Sequence, residues 1–115
     1  MSLSKERVIQ EYVPGKQATL VHIIANPDEE LKQKIGIHNR SHNAIGIMLI
    51  TPSEAAIIAV DIAVKTAEVE IEYMDRFTGS LIISGTLDSV KAALSAAIQL
   101  LSDELHYDIN PMSIS

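Results

Sequence analysis

Residues 68–105, EVEIEYMDRFTGSLIISGTLDSVKAALSAAIQLLSDEL, decide the reading of this chain. The first part alternates, with Val69, Ile71 and Tyr73 on one side and Glu68, Glu70 and Glu72 on the other, the period of a strand with one face on a core. DRFTG (75–79) reads as a loop, and SLIISGT (80–86) as a second strand antiparallel to the first. From about Asp88 the apolar period lengthens. Val90, Leu94, Ala97, Ile98, Leu101 and Leu105 fall on one helical stripe, and Lys91, Ser95, Gln99 and Ser102 face away. A hairpin followed by an amphipathic helix needs further elements to cover it, which predicts a layered α/β domain.

Upstream, AIGIMLI (44–50) is an unbroken apolar run, as expected of a strand buried on both faces. Thr51-Pro52-Ser53-Glu54 has the pattern of a capping box with proline at the first helical position. The helix predicted from Pro52 to about Thr66 is apolar nearly all round, with Glu54, Asp61 and Lys65 on one narrow stripe. Such a helix is expected to be covered by its own sheet and by a neighbouring subunit. ATLVHIIA (18–25) reads as a strand. Asn26-Pro27-Asp28-Glu29 predicts a helix capped by Asn26, running to about Ile35 and stopped by Gly36. HNRSHN (38–43) is a polar loop, ERVIQEYV (6–13) a short half-polar strand followed by the Pro14-Gly15 turn, and residues 106–115 an irregular tail. The expected order is β, β, α, β, α, β, β, α. The fold class is α/β: a single-domain α+β sandwich over residues 1–115 with a mixed sheet.

The 115 residues suffice for one core without staples, and the sequence holds no cysteine. Apolar residues reach 47% but aromatics only 3%, so the apolar content is aliphatic, suited to packed layers more than to aromatic-lined pockets. That much aliphatic surface on a small domain predicts burial against copies of itself. The net charge of −6 and the scattered basic residues argue against nucleic acid as a partner. No apolar run approaches the ~18 residues of a membrane span, and no leader-like apolar segment opens the chain.

Few residues suggest chemistry. His38 and His42 lie four apart, but in a loop and without the glutamate of a zinc-protease motif, so solvated loop histidines are expected. His22, in an apolar strand, is expected to be hydrogen-bonded structure or a subunit contact. The row Glu68, Glu70, Glu72 reads as a solvated or partner-facing strip that would also discourage pairing at a sheet edge. No phosphate-loop, dinucleotide or nucleophile-elbow motif occurs, and no catalytic residue, cofactor or metal is assigned. Only residues 75–80 gather mixed chemistry: Asp75, Arg76, the sole phenylalanine Phe77, Thr78, Gly79 and Ser80.

At this loop the chain resembles the shell proteins of bacterial microcompartments. Residues 68–101 look like the family's central block, and AIGIMLITPSEAAIIAVDIAVKTAEVEI (44–71) like its opening strand and helix. ATLVHIIANP (18–27) resembles the strand that closes ordinary members but lies near the N-terminus, the mark of circularly permuted members. ERVIQEYVPGKQATLVHIIANPDEELKQKIG (6–36) resembles the ethanolamine-utilisation branch and its propanediol and choline relatives.

The resemblance implies a ferredoxin-like permuted core (18–107), a tail (108–115) and a non-enzymatic, structural role in the shell of a cytoplasmic organelle, most closely that of ethanolamine utilisation. It implies homo-hexamers that tile with other shell proteins, with Asp75, Arg76, Phe77, Thr78, Gly79 and Ser80 near the six-fold axis. It also implies that the strand at about 5–14, with Glu6, Arg7, Val8, Ile9, Gln10, Glu11, Tyr12 and Val13, joins five mates in a β-barrel over the pore. A closed ring would remove the strand's edges. The barrel mouth is a candidate dock for a targeting peptide of an encapsulated enzyme. That docking predicts loss of peptide binding, with hexamers intact, on deletion of residues 1–13. Ordinary members carry a lysine after the first strand and an arginine-containing edge motif. Here Thr51-Pro52-Ser53-Glu54 and Asn26-Pro27-Asp28 stand in those places, which points to other shell proteins as tiling partners. A small-molecule-binding regulatory domain on a ferredoxin-like sandwich is the alternative.

Overall fold

The computed structural model describes residues 16–115, so the strand expected at 6–13 and the Pro14-Gly15 turn lie outside the described residues. β1 (Gln17–Ala25) is followed by α1 (Glu29–Ile35), β2 (Ala44–Thr51), α2 (Ala55–Thr66), the hairpin β3 (Val69–Asp75) and β4 (Ser80–Gly85), α3 (Leu87–Asp103), and two short strands, β5 (Asp108–Ile109) and β6 (Ser113–Ile114). The sheet runs β3-β4-β2-β1-β5, with β6 also on β1. β1/β2, β2/β4 and β3/β4 are antiparallel, and β5 and β6 run parallel to β1, so the sheet is mixed as expected.

Two of the expected caps are different. The cap of α1 is Asp28, whose carboxylate accepts the Glu30 N–H at 3.0 Å, while Asn26 takes a left-handed φ of 52° that turns the chain off β1. Gly36 ends α1 as expected, at φ 99°, with its N–H on the Lys32 and Gln33 carbonyls. Thr51 stays in β2, the Thr51–Pro52 bond is cis, and α2 begins only at Ala55 without a side-chain cap. α3 is capped by Thr86, whose hydroxyl accepts the Ser89 N–H at 3.2 Å, and Asn43 accepts the Leu87 N–H at 3.1 Å.

The core lies between one sheet face and α2 with α3. Val21, Ile23, Met48, Ile50, Leu81 and Ile83 of the sheet are buried with Ala56, Ala59 and Ala63 of α2 and Val90, Leu94 and Leu101 of α3. The alanines of α2 bring that helix close to its neighbours, and the larger side chains of α3 fill the layer. On the outer side of α2, Ile57, Ile58 and Val64 are exposed beside the Asp61–Lys65 ion pair.

Cross-strand pairing defines the opposite, open face. Leu20 pairs with Leu49, His22 with Ile47 and Ile24 with Ile45; across β2, Leu49 pairs with Ser80, Ile47 with Ile82 and Ile45 with Ser84. On this face of β2 Ile45 is buried, Ile47 half-buried and Leu49 exposed, so the apolar run is covered on both sides only toward its start. β3 departs most from expectation. A bulge at Glu72 shifts its register, so Ile71 still pairs with Ile83 but Tyr73 pairs with Ile82. Tyr73 thus leaves the side of Val69 and Ile71 for the open face, where it is 48% exposed.

The tail is a correction too. Residues 108–115 are not irregular but line the outer edge of β1, with Asn110 N–H on the Ala18 carbonyl, Ser115 N–H on Ile23 and Ala25 N–H on Ser115. The reason is an edge of unpaired N–H and C=O groups on β1 that a short extended segment satisfies.

Candidate functional site

The hairpin tip is built around Asp75. Its Oδ1 accepts the N–H of Phe77 at 2.8 Å and of Thr78 at 3.4 Å, and Oδ2 accepts the Tyr73 hydroxyl at 3.3 Å. The Phe77 N–H chiefly, helped by Thr78 and Tyr73, holds the Asp75 carboxyl below the ordinary range against a smaller opposing effect of desolvation. The Asp75 charge, and then its hydrogen bond, push the Tyr73 phenol up. Gly79 closes the loop at φ 80°: its N–H binds the Asp75 carbonyl at 2.8 Å and its carbonyl takes the Ile50 N–H at 2.9 Å. Thr78 donates to Ser80 at 3.1 Å. The Arg76 guanidinium lies 5.1 Å from the ring centre of Phe77, which is 79% exposed. A rigid turn therefore holds a cation, an aromatic ring and hydroxyls out to solvent. This suits a contact or a lining more than a reaction centre, since Arg76, Phe77 and Thr78 are exposed to solvent among the described residues.

The second polar group lies at the other end of the open face. His42 is only 8% exposed, not the solvated loop histidine expected. Ser84, fully buried, donates its proton to Glu72, so its oxygen receives the His42 Nδ1–H at 2.8 Å. Glu70 Oε1 lies 3.9 Å from the same nitrogen. Ligand atoms of His42, Glu70 and Glu72 fall within 4.8 Å of one another. His38 is exposed, as expected, and is not part of this group. The bulge explains why the sequence did not reveal the cluster: it tucks Glu72 toward Ser84 while Glu70 stays out. As anticipated, the carboxylates also stand on an edge strand, since β3 ends the sheet. His22 is hydrogen-bonded structure, with Nδ1 2.6 Å from the Ser113 hydroxyl and Nε2 2.8 Å from that of Ser115. The expected barrel residues Glu6 to Val13 lie outside the described residues.

The profile of the BMC domain matches residues 44–111, from the first residue of β2 to just past β5. The chain belongs to the BMC-domain family. Its BMC domain comprises the hairpin, α2, α3 and the polar cluster apart from His42, which precedes the match. The bacterial microcompartment shell protein EutS of Escherichia coli K12 is 50% identical over 113 residues, 98% of this chain and 100% of that protein. The shell protein PduU of Salmonella typhimurium is 49% identical over 102 residues, covering 89% of this chain and 87% of that one. In three dimensions this BMC-domain chain is similar to a solved CutR flat hexamer, with a TM-score of 0.82 and 41% identity over 90% of this chain and 94% of that chain. The chain is a structural shell protein of a bacterial microcompartment. Among the described residues, no helix is long and apolar enough to cross a membrane.

Proposed function

We propose that this protein is a non-catalytic hexamer-forming tile of a cytoplasmic catabolic microcompartment, of the ethanolamine-utilisation type. The observation that carries the reading is identity with EutS at 50% across 98% of the chain. The order of elements supports a circularly permuted, ferredoxin-like single domain: β1, the resembled closing strand, precedes β2 in sequence and pairs with it in the sheet. In this reading Asp75 to Ser80 face the six-fold axis, and the strand Glu6 to Val13 closes over it with its mates as a β-barrel, so little metabolite passes through this hexamer. The exposed Arg76 and Phe77 fit a loop that meets symmetry copies. Other shell proteins complete the tiling, and a targeting peptide is the partner proposed for the barrel.

Light scattering on a sizing column, at two protein concentrations, tests the reading. A mass of six subunits, or of larger bodies built from that unit, is expected. A stable monomer or dimer would remove the pore, the barrel and the tile together.

A further inference from the structure

The cluster on the open face has features of a metal site that the shell role does not use. Its donors are one imidazole and two carboxylates, the nitrogen and oxygen set that suits zinc and its first-row neighbours. The imidazole is nine-tenths buried and turns its Nδ1 toward the carboxylates, 3.9 Å from Glu70 Oε1. No lysine or arginine among the described residues pairs with Glu70 or Glu72, so two carboxylates share the site with one histidine. Ser84 already orients Glu72, as groups behind a metal ligand commonly do. A cleft of about 350 Å³ opens onto His42 and Glu70 and provides a path of entry.

The distances are compatible with an ion. Arms of about 2.1 Å at a tetrahedral angle place two ligand atoms about 3.4 Å apart. The His42 Nδ1 to Glu70 Oε1 separation of 3.9 Å needs only a small inward turn of Glu70 to reach that spacing. The three ligand atoms lie within 4.8 Å of one another, and Glu70, whose side chain is 65% exposed, has room to turn inward. Nδ1 would exchange its hydrogen bond to Ser84 for the ion, leaving the proton on Nε2.

We infer that His42, Glu70 and Glu72 form a site for one divalent ion of the zinc type per chain, which pins the loop at residues 38–43 to the bulged edge strand β3. The ion would bridge a loop and a strand that otherwise meet through Ser84, replacing carboxylate repulsion with shared coordination. The site lies toward the far end of the hairpin strands from the loop at residues 75–80 on which the proposed function rests.

Cobalt(II) titration of the full-length protein, read by ligand-field absorption, tests this. Bands saturating at one equivalent per chain and displaced by zinc are expected. Glu70→Gln and Glu72→Gln should each weaken binding by more than about tenfold with native mass and far-ultraviolet dichroism unchanged. His38→Gln should bind as the parent does. Absence of bands, parent-like binding in either glutamine variant, or loss of binding in His38→Gln would each overturn the assignment. Because Glu70 is exposed, that variant keeps the test valid even if a change at buried His42 prevents folding.

Discussion

A Cβ at position 79 would sit 1.9 Å from the Ile50 carbonyl oxygen, on a backbone at φ 80°. Gly79→Ala must therefore break the turn's hydrogen bond to β2 or move β2 itself. A loss of roughly 2–4 kcal/mol in denaturant unfolding is expected, above the usual cost of a substitution. Asp75 behaves differently. Its folded carboxyl titrates below the ordinary 3.8, so its contribution is present above the unfolded pKa and disappears as pH falls through the folded one. Asp75→Asn keeps an oxygen for the Phe77 N–H but removes the charge. Thermal melts should show the parent losing stability below about pH 4 while the variant lacks that part of the acid dependence. An identical acid limb in both proteins would refute this role.

The elements show how local patterns and pairing compete. β3 has a clean period of two in sequence, yet one bulge reverses the facing of everything after Glu72. The tail carries no strand pattern, yet β1 recruits it twice, on either side of Pro111, because an open edge needs partners more than the tail needs propensity. Tyr107, buried at the start of this segment with Lys16 5.4 Å from its ring centre, anchors it. Deleting residues 108–115 should lower the thermal midpoint and raise concentration-dependent association through the bared edge of β1. Sizing and melts that match the full chain would show that the tail is dispensable.

For the whole molecule, the apolar surface outside the core is the main clue to assembly. Ile57 and Ile58 are 45% and 42% exposed on α2, and the same helix packs its alanines inward. Exposed β-branched side chains beside one ion pair fit a face that a neighbouring subunit covers. Ile58→Lys is expected to shift native mass toward smaller species at equal concentration while the far-ultraviolet dichroism is retained. An unchanged native mass would place the subunit contact elsewhere. The net charge of −6 favours solubility but does not specify how subunits meet.

Much of this protein was determined by the sequence alone, because it rests on local physics. The period change after residue 86 marked the hairpin and α3, Gly36 marked the end of α1, and Asp75 with Gly79 marked the turn. Family membership was legible in the same residues, since motifs such as DRFTGSL are continuous in sequence. Tertiary structure alone decided the rest. Asp28 capped α1 in place of Asn26 because Asn26 was taken by the turn off β1. The bulge moved Tyr73 to the open face, and strand pairing drew the tail onto β1. His42 is buried with its Nδ1 against Ser84 of β4, and the His42–Glu70–Glu72 group joins a loop to a strand some 28 residues further along the chain. Contacts at such separation depend on register, which no local pattern encodes.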